Sequence, residues 1–288
     1  MGNARRRETM RRSYYKFSQS GMSVVGLVIV VILGLAAAFA PWVAPYPHHA
    51  GLYIDFSAKF EPPSLKHPCG TDGIGRDVLS RIIFGFRSSL FLGIAVTLFV
   101  MPLGTVLGLL AGYHTDRWSG TLVMRITDVF LSLPPLVLAL TVASVLPPSI
   151  WNGILALSMA SWPWYTRMVY SRVTSLRNEP YILRAKLAGI GTPHILFKEL
   201  LPNCASQVIT KMTLEMGSVV LMGATLSFVG LGEKPPSPGL GTMLADGAQY
   251  LPVQWWLTVF PGVAILLIVV GFNLLGDGLR DLYGGGDT

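Results

Sequence analysis

Lys211 and Glu215 stand four residues apart in a mostly apolar run, and Arg125 and Asp128 stand three apart in another. Ionisable groups at membrane depth are costly and often mark a route for polar solutes, although a pair spaced i,i+4 can also satisfy itself. Met212 and Met216 flank Glu215 and could line an adaptable cavity or fill packing gaps. Asp128, Met212, Glu215 and Met216 are therefore the candidates for a pathway lining. His48, His49, His67 and Cys69 lie within one segment and would suit a soft metal, but their spacing matches no closed metal site. Polar surface is the ordinary reading, and no metal is expected. The glycines from Gly70 to Gly75 and from Gly284 to Gly286 lack the Gly-Lys-Ser/Thr ending of a phosphate-binding loop. No His-Glu-x-x-His or Gly-x-Ser-x-Gly pattern is present either. The chain should carry no catalytic residue and bind no cofactor of its own.

The elements that hold these residues follow from composition. Of 288 residues, 51% are hydrophobic and only 13% charged, with a mean hydropathy of +0.53, where an ordinary soluble domain has roughly 25% charged residues. An all-α polytopic membrane protein is expected, with six spans. They begin near Gly21, Ser88, Gly120, Ile150, Ala205 and Gln254, and end near Val43, Gly112, Leu146, Val169, Leu231 and Leu275. Asp128, Pro134, Pro135 and Pro163 weaken the third and fourth. The net charge of +7 is gathered beside the spans, so it reports topology and not a nucleic-acid partner.

Six Lys or Arg precede the first span (Arg5 to Arg7, Arg11, Arg12, Lys16), and six more follow from the end of the fourth (Arg167, Arg172, Arg177, Arg184, Lys186, Lys198). Both regions are expected in the cytoplasm, and an even span count puts the C-terminus there too. The apolar run from Gly21 is too long for a cleaved signal peptide and should be retained as an anchor. The resulting division is a tail at 1–20, a first span at 21–43, an external segment at 44–87, a five-span core at 88–280 and a tail at 281–288. Cys69 and Cys204 fall on opposite sides and cannot pair. Trp162, Trp164, Tyr165, Trp255 and Trp256 are read as membrane-interface aromatics. In the external loop Gly232 to Val253, the prolines favour an extended path over a helix.

The loop at 178–203 is the informative one. Asn178 and Pro180 start a short helix, Gly189 or Gly191 stops it, and Thr192-Pro193 starts another. Tyr181, Ala185, Ala188 and Gly189 share one side, small enough to let another backbone approach, with Arg184 and Lys186 at the margins. Such a helix is too short to stand alone and suits docking into a groove of a soluble protein; a solvated loop is the alternative.

This stretch resembles the signature loop of ABC-importer permeases, in which an Ala, a Gly four residues later and a distal Leu-Pro are matched by Ala185, Gly189 and Leu201-Pro202. It departs from that pattern where Leu183 and Arg184 replace the usual Glu and first Ala. Three further motifs are similar to the dipeptide, oligopeptide and nickel branch of the family: His67 to Arg81, with Cys69 where Leu is usual; Leu226 to Gly232 followed by Pro235-Pro236 and Gly241 to Leu244; and Phe272 to Asp281.

The resemblance implies a MetI-like permease fold in a bacterial inner membrane, forming half of a pathway for di- or oligopeptides, with nickel or another small solute as the alternative. It implies as partners a second homologous permease, two ATPase subunits that bind ATP and Mg, an extracytoplasmic substrate-binding protein and membrane lipid. Coupling to the ATPases would fall on Tyr181, Arg184, Ala185, Lys186, Ala188, Gly189 and His194, and the external gate or binding-protein docking on Asp72, Arg76, Asp77, Pro235 and Pro236. An ion-coupled secondary transporter is the rival class, but it would need broken helices, intramembrane charges and usually an internal repeat, of which only Pro134-Pro135 and Asp128 give a sign.

Overall fold

The computed structural model describes residues 20–284; the basic N-terminal tail and the last four residues lie outside it. Regular structure among the described residues is helical, apart from one isolated bridge between Thr71 and Asp77. The helices of eight or more residues are α1 (Gly21–Ala38), α2 (Val78–Tyr113), α3 (Trp118–Leu131), α4 (Pro135–Val145), α5 (Ile150–Leu176), α6 (Pro180–Leu187), α7 (Leu201–Phe228), α8 (Leu240–Ala248) and α9 (Trp256–Gly284).

Several sequence-derived boundaries shift, each for a local reason. Asp77 accepts a hydrogen bond from the Ser80 backbone N–H at 2.7 Å, so α2 begins at Val78 and takes three turns from what was expected to be external loop. The third span breaks into α3 and α4, which meet at 86°, because neither Pro134 nor Pro135 can donate to a continuing helix. α8 forms inside the loop from Gly232 to Val253, which was expected to be extended, once the prolines end at Pro238. A turn at Thr192–His194 and a π-helical segment at Ile195–Leu200 lead into α7 through helical dihedrals at every junction. The second short helix is therefore the first part of the fifth long one. Pro202, which cannot donate to the carbonyl of Lys198, lies beside the widened π turn.

Three helices, α1, α2 and α9, are long and apolar enough to cross a membrane, and α3 with α4 adds a fourth if taken as one broken span. α5 and α7 have 27 and 28 residues, or about 40 Å each at 1.5 Å per residue. Their lower hydropathy comes from polar groups turned into the bundle: Ser158, Ser161 and Thr166 on α5, and Thr210, Thr213 and Glu215 on α7, are all buried. By length and apolarity alone, the described residues hold three candidate spans, or four with the broken pair.

Two apolar clusters share α7. One gathers most of α2, with α4 and α5, around Val100, Leu157, Tyr165 and Val169; the other gathers the first turns of α2, with α1, α8 and α9, around Leu33, Leu240 and Ile268. α2 and α5 run parallel in close contact, with Gly104, Gly108 and Gly112 against Tyr165, Thr166 and Val173. A methyl group at any of these glycines would lie 2.5–2.8 Å from atoms of α5. In a lipid-facing bundle, where apolar burial gives little drive, small residues spaced by four permit the dispersion contacts that hold helices together. Tyr165 and Trp256 are buried within the bundle, whereas Trp164 and Trp255 remain exposed. The outward sides of α1 and α9 show Val25, Val28, Ile32, Leu35, Leu266 and Val270, as a lipid-contacting helix does.

Candidate functional site

The loop between α5 and α7 is built from its own end. Pro180 occupies the first turn of α6 behind Glu179 as N-cap, one residue later than Asn178. The helix closes when Gly189 N–H donates to Lys186 O at 3.1 Å and Ile190 N–H to Ala185 O at 3.1 Å, with Gly189 at φ +74°. This paired closure needs a left-handed residue, which glycine supplies without a steric cost. Nothing lies within 4 Å of where a Cβ at Gly189 would sit. Within this chain the glycine serves the backbone turn and not a close contact.

The face that meets the bundle differs from expectation. Ile182 and Ala185 are buried against Ile195, Leu196 and Leu200, and Tyr181 packs beside them. Burial raises the Tyr181 phenol above its ordinary pKa, and its oxygen accepts from Asn203 Nδ2 at 3.4 Å. Tyr181 and Ala185 thus anchor α6 to its own protein. The side left open carries Leu183, Arg184, Leu187, Ala188 and Gly189, and Leu187 is 89% exposed. Ile190 and Phe197 extend that apolar surface, and His194 is exposed on the turn beside it. Lys186 lies 5.0 Å over the Tyr113 ring and donates to Arg177 O at 3.4 Å. Arg177 in turn forks onto Asp116 at 2.8 and 3.1 Å, and that hydrogen bond holds the Asp116 carboxyl below its usual pKa. The loop is pinned to the bundle while an apolar strip faces outward. Leu183 and Leu187, four apart on a basic helix, were the available sequence signal for that strip.

At the opposite end, residues 44–77 form a cap fastened from within. Asp77 is fully buried. Its Oδ1 meets His67 Nδ1 at 2.9 Å, its Oδ2 accepts from Ser80 N–H and Oγ–H at 2.7 Å each, and its own N–H donates to His49 Nδ1 at 2.9 Å. Asp72 accepts from the backbone of Ile74 and Arg76, pairs with Arg76 Nε at 2.7 Å, and receives Arg81 NH1 at 3.4 Å. Asp77 has no surface to offer a partner, and Asp72 and Arg76 spend their charges on each other. They close the cap first; Pro235 and Pro236 are exposed on the loop before α8.

His49 lies against Tyr46 and Tyr53 rings at 5.0 and 3.9 Å, and burial lowers its pKa, with His48 adding to the effect. Burial pushes the Cys69 thiol up to about 11. No group of three or more His, Cys, Asp or Glu could hold a metal ion among the described residues. Cys69 and Cys204 are both free and buried.

The pathway candidates separate. Asp128 forms an ion pair with Arg167, joining α3 to α5. Glu215 is buried and paired with Lys211. Met216 is packed between helices, with Thr97 Oγ1 donating to its sulfur at 3.4 Å, which gives it the gap-filling role. Met212 is half-buried on the same helix.

A helical bundle with a pinned, outward-facing short helix at one end and a hydrogen-bonded cap at the other has the architecture of an importer's membrane subunit. The methionine ABC transporter, solved in inward-facing conformations, shares this fold with a TM-score of 0.57 at 20% identity, over 70% of this chain and 95% of that one. The chain belongs to the family of binding-protein-dependent transport system inner membrane components, whose family model matches residues 104–284.

Residues 9–63 match the N-terminal transmembrane domain of oligopeptide transport permease C. Among curated relatives, a dipeptide transport system permease protein of Haemophilus influenzae is 37% identical, covering 94% of this chain and 93% of the relative. A probable D,D-dipeptide transport system permease of Escherichia coli is 40% identical over 91% and 87%. A di/tripeptide transport system permease of Pseudomonas aeruginosa is 39% identical over 94% and 90%.

Proposed function

We propose that this chain is one of two permease halves of an ATP-driven importer of di- or oligopeptides. The observation that carries the substrate class is end-to-end similarity to permeases named for dipeptide and di/tripeptide transport. In this reading α1, α2, the broken pair α3–α4, α5, α7 and α9 are the six spans, with both termini and α6 in the cytoplasm. A second, homologous permease completes the pathway, two ATPase subunits bind ATP and Mg, and an extracytoplasmic protein delivers the peptide to the capped end. The chain itself performs no hydrolysis.

Coupling follows from the geometry of α6. Leu183, Leu187 and Ile190 seat in a groove of an ATPase subunit, with Arg184, Ala188, Gly189 and His194 at its margin. Tyr181, Ala185 and Lys186 tie α6 to α5 and α7, so movement of the groove is passed to the bundle. ATP-driven closure of the ATPases thereby switches access from one face to the other.

Reconstitution of the four membrane components with the binding protein tests the reading. ATP-dependent uptake of a labelled dipeptide, insensitive to dissipation of ion gradients, is expected. Uptake driven by an ion gradient without ATP, or ATP-dependent uptake of nickel with none of peptide, would overturn it.

A further inference from the structure

One polar cavity has no part in the account above. It lies between α5, α7 and α9 at the end that carries α6, with a volume of about 760 Å³. Its wall contains Arg172, Lys211 and Arg280 and not one carboxylate. Lys211 is answered by Glu215, but among the described residues neither Arg172 nor Arg280 is in an ion pair. Arg172 Nε is buried with no hydrogen-bond partner, a state that costs free energy unless something accepts from it. The hydroxyls nearby do not relieve it: Ser175 donates to Arg172 O and Thr210 to Ser206 O, and neither oxygen accepts from Nε. Asp277 and Asp281 sit on α9 beside Arg280, yet neither forms an ion pair with it among the described residues.

We propose that this cavity is an oxyanion site at the cytoplasmic end of the pathway, in which Arg172 and Arg280 receive a carboxylate. Guanidinium groups present planar pairs of donors that fit such a group. The inference rests on the permease reading and deepens it: the favoured oxyanion is the C-terminal carboxylate of the transported peptide as it leaves the membrane. The volume agrees, being several times that of a bare anion and within the range of small-ligand sites. An inner-leaflet lipid phosphate has the same chemistry and is the other source that the experiment must separate.

The test uses the complete importer in lipid nanodiscs, carrying Ser175→Cys at the cavity wall. The native Cys69 and Cys204 are buried and provide the low background. An anionic methanethiosulfonate should react about tenfold faster than a cationic one, and Arg172→Gln with Arg280→Gln should abolish that preference. A dipeptide with a free carboxylate, but not its amide, should slow the reaction if substrate is the source. Slowing that follows phosphatidylglycerol content instead would assign the site to lipid phosphate and still support an oxyanion site. Equal rates for the two reagents, with no slowing by peptide or lipid, overturn the proposal. Peptide uptake and ATPase stimulation measured on the same preparation keep this failure distinct: normal transport with equal rates sinks the cavity proposal alone, whereas absent uptake by the parent protein sinks the permease reading.

Discussion

The cap at residues 44–77 and the loop at 178–203 both came forward as contact regions, but they spend their side chains in opposite ways. In the cap, the charged groups of Asp72, Arg76 and Asp77 and the ring of His67 are consumed by bonds to one another or to Ser80. In the loop, Leu187 stands 89% exposed and Leu183 44%, on a helix whose other face is buried. A group already satisfied inside its own chain contributes stability; an apolar group held rigidly in water contributes when something covers it. The lesson is that residue type marks both regions, and only the surroundings tell which one faces a partner.

The severest test of that contrast is Asp77→Ala. Removing a fully buried carboxylate that caps α2 and partners His67 should cost about 3 kcal/mol. A lower midpoint in detergent thermal unfolding is expected, together with protease cuts in residues 44–77. Retained stability with lost response to the binding protein would instead make the cap a docking face and erase the contrast.

Leu187→Asp should act the other way. It leaves the unfolding midpoint unchanged while weakening ATPase association by about 2 kcal/mol, or about thirtyfold, read as loss of ATPase subunits during purification. Undiminished co-purification would show that the exposed strip is not the contact. Gly189→Ala tests the turn alone: forcing a Cβ into the left-handed region costs roughly 1–2 kcal/mol with no clash, and Gly189→Asn, which tolerates that region, should retain more transport. Gly189→Leu should impair uptake further, since it adds bulk at the rim of the strip.

The smallest effect is the pH response of the cap. His49 has a lowered folded pKa, from burial first and then from His48 and His67, opposed by Asp77 and Asp72. Its neutral ring accepts the Asp77 N–H. The stabilisation is therefore complete above the unfolded value of about 6.5 and falls away as pH drops toward the lower folded value. Protection factors for hydrogen exchange at Asp77 and Val78, taken against the intrinsic rate at each pH, should fall below pH 6.5, and His49→Gln, which keeps an acceptor and does not titrate, should flatten that change.

Much of this was legible in the sequence, though unevenly. Pro180 and Gly189 bracket α6 because both act through the backbone, independently of tertiary context. Which face of α6 turns inward was not legible: Tyr181 and Ala185 looked like a contact surface, and a helical repeat cannot say whether a chain's own bundle or a partner covers it. The start of α2 was missed although Asp77 and Ser80 carry a cap signal, because the charged stretch through Arg81 was placed in the external segment 44–87, while the fold buries Arg81 to 2%. The ladder of Gly104, Gly108 and Gly112 was readable from its spacing of four. Its partner, the Tyr165 side of α5, was obscured by an aromatic cluster that looked interfacial.

The continuity from Thr192 through the π turn to Phe228 has a mechanical meaning. At 1.5 Å per residue this rod is about 55 Å long, with its near end in the loop beside α6 and its far end just before the segment leading to α8. A tilt of about 10° pivoting at the near end carries the far end through about 10 Å. The chain therefore holds a long lever in which a small angular displacement at the end beside α6 becomes a larger linear one at the end that leads to α8, and stiffness along its length sets how much of the stroke arrives.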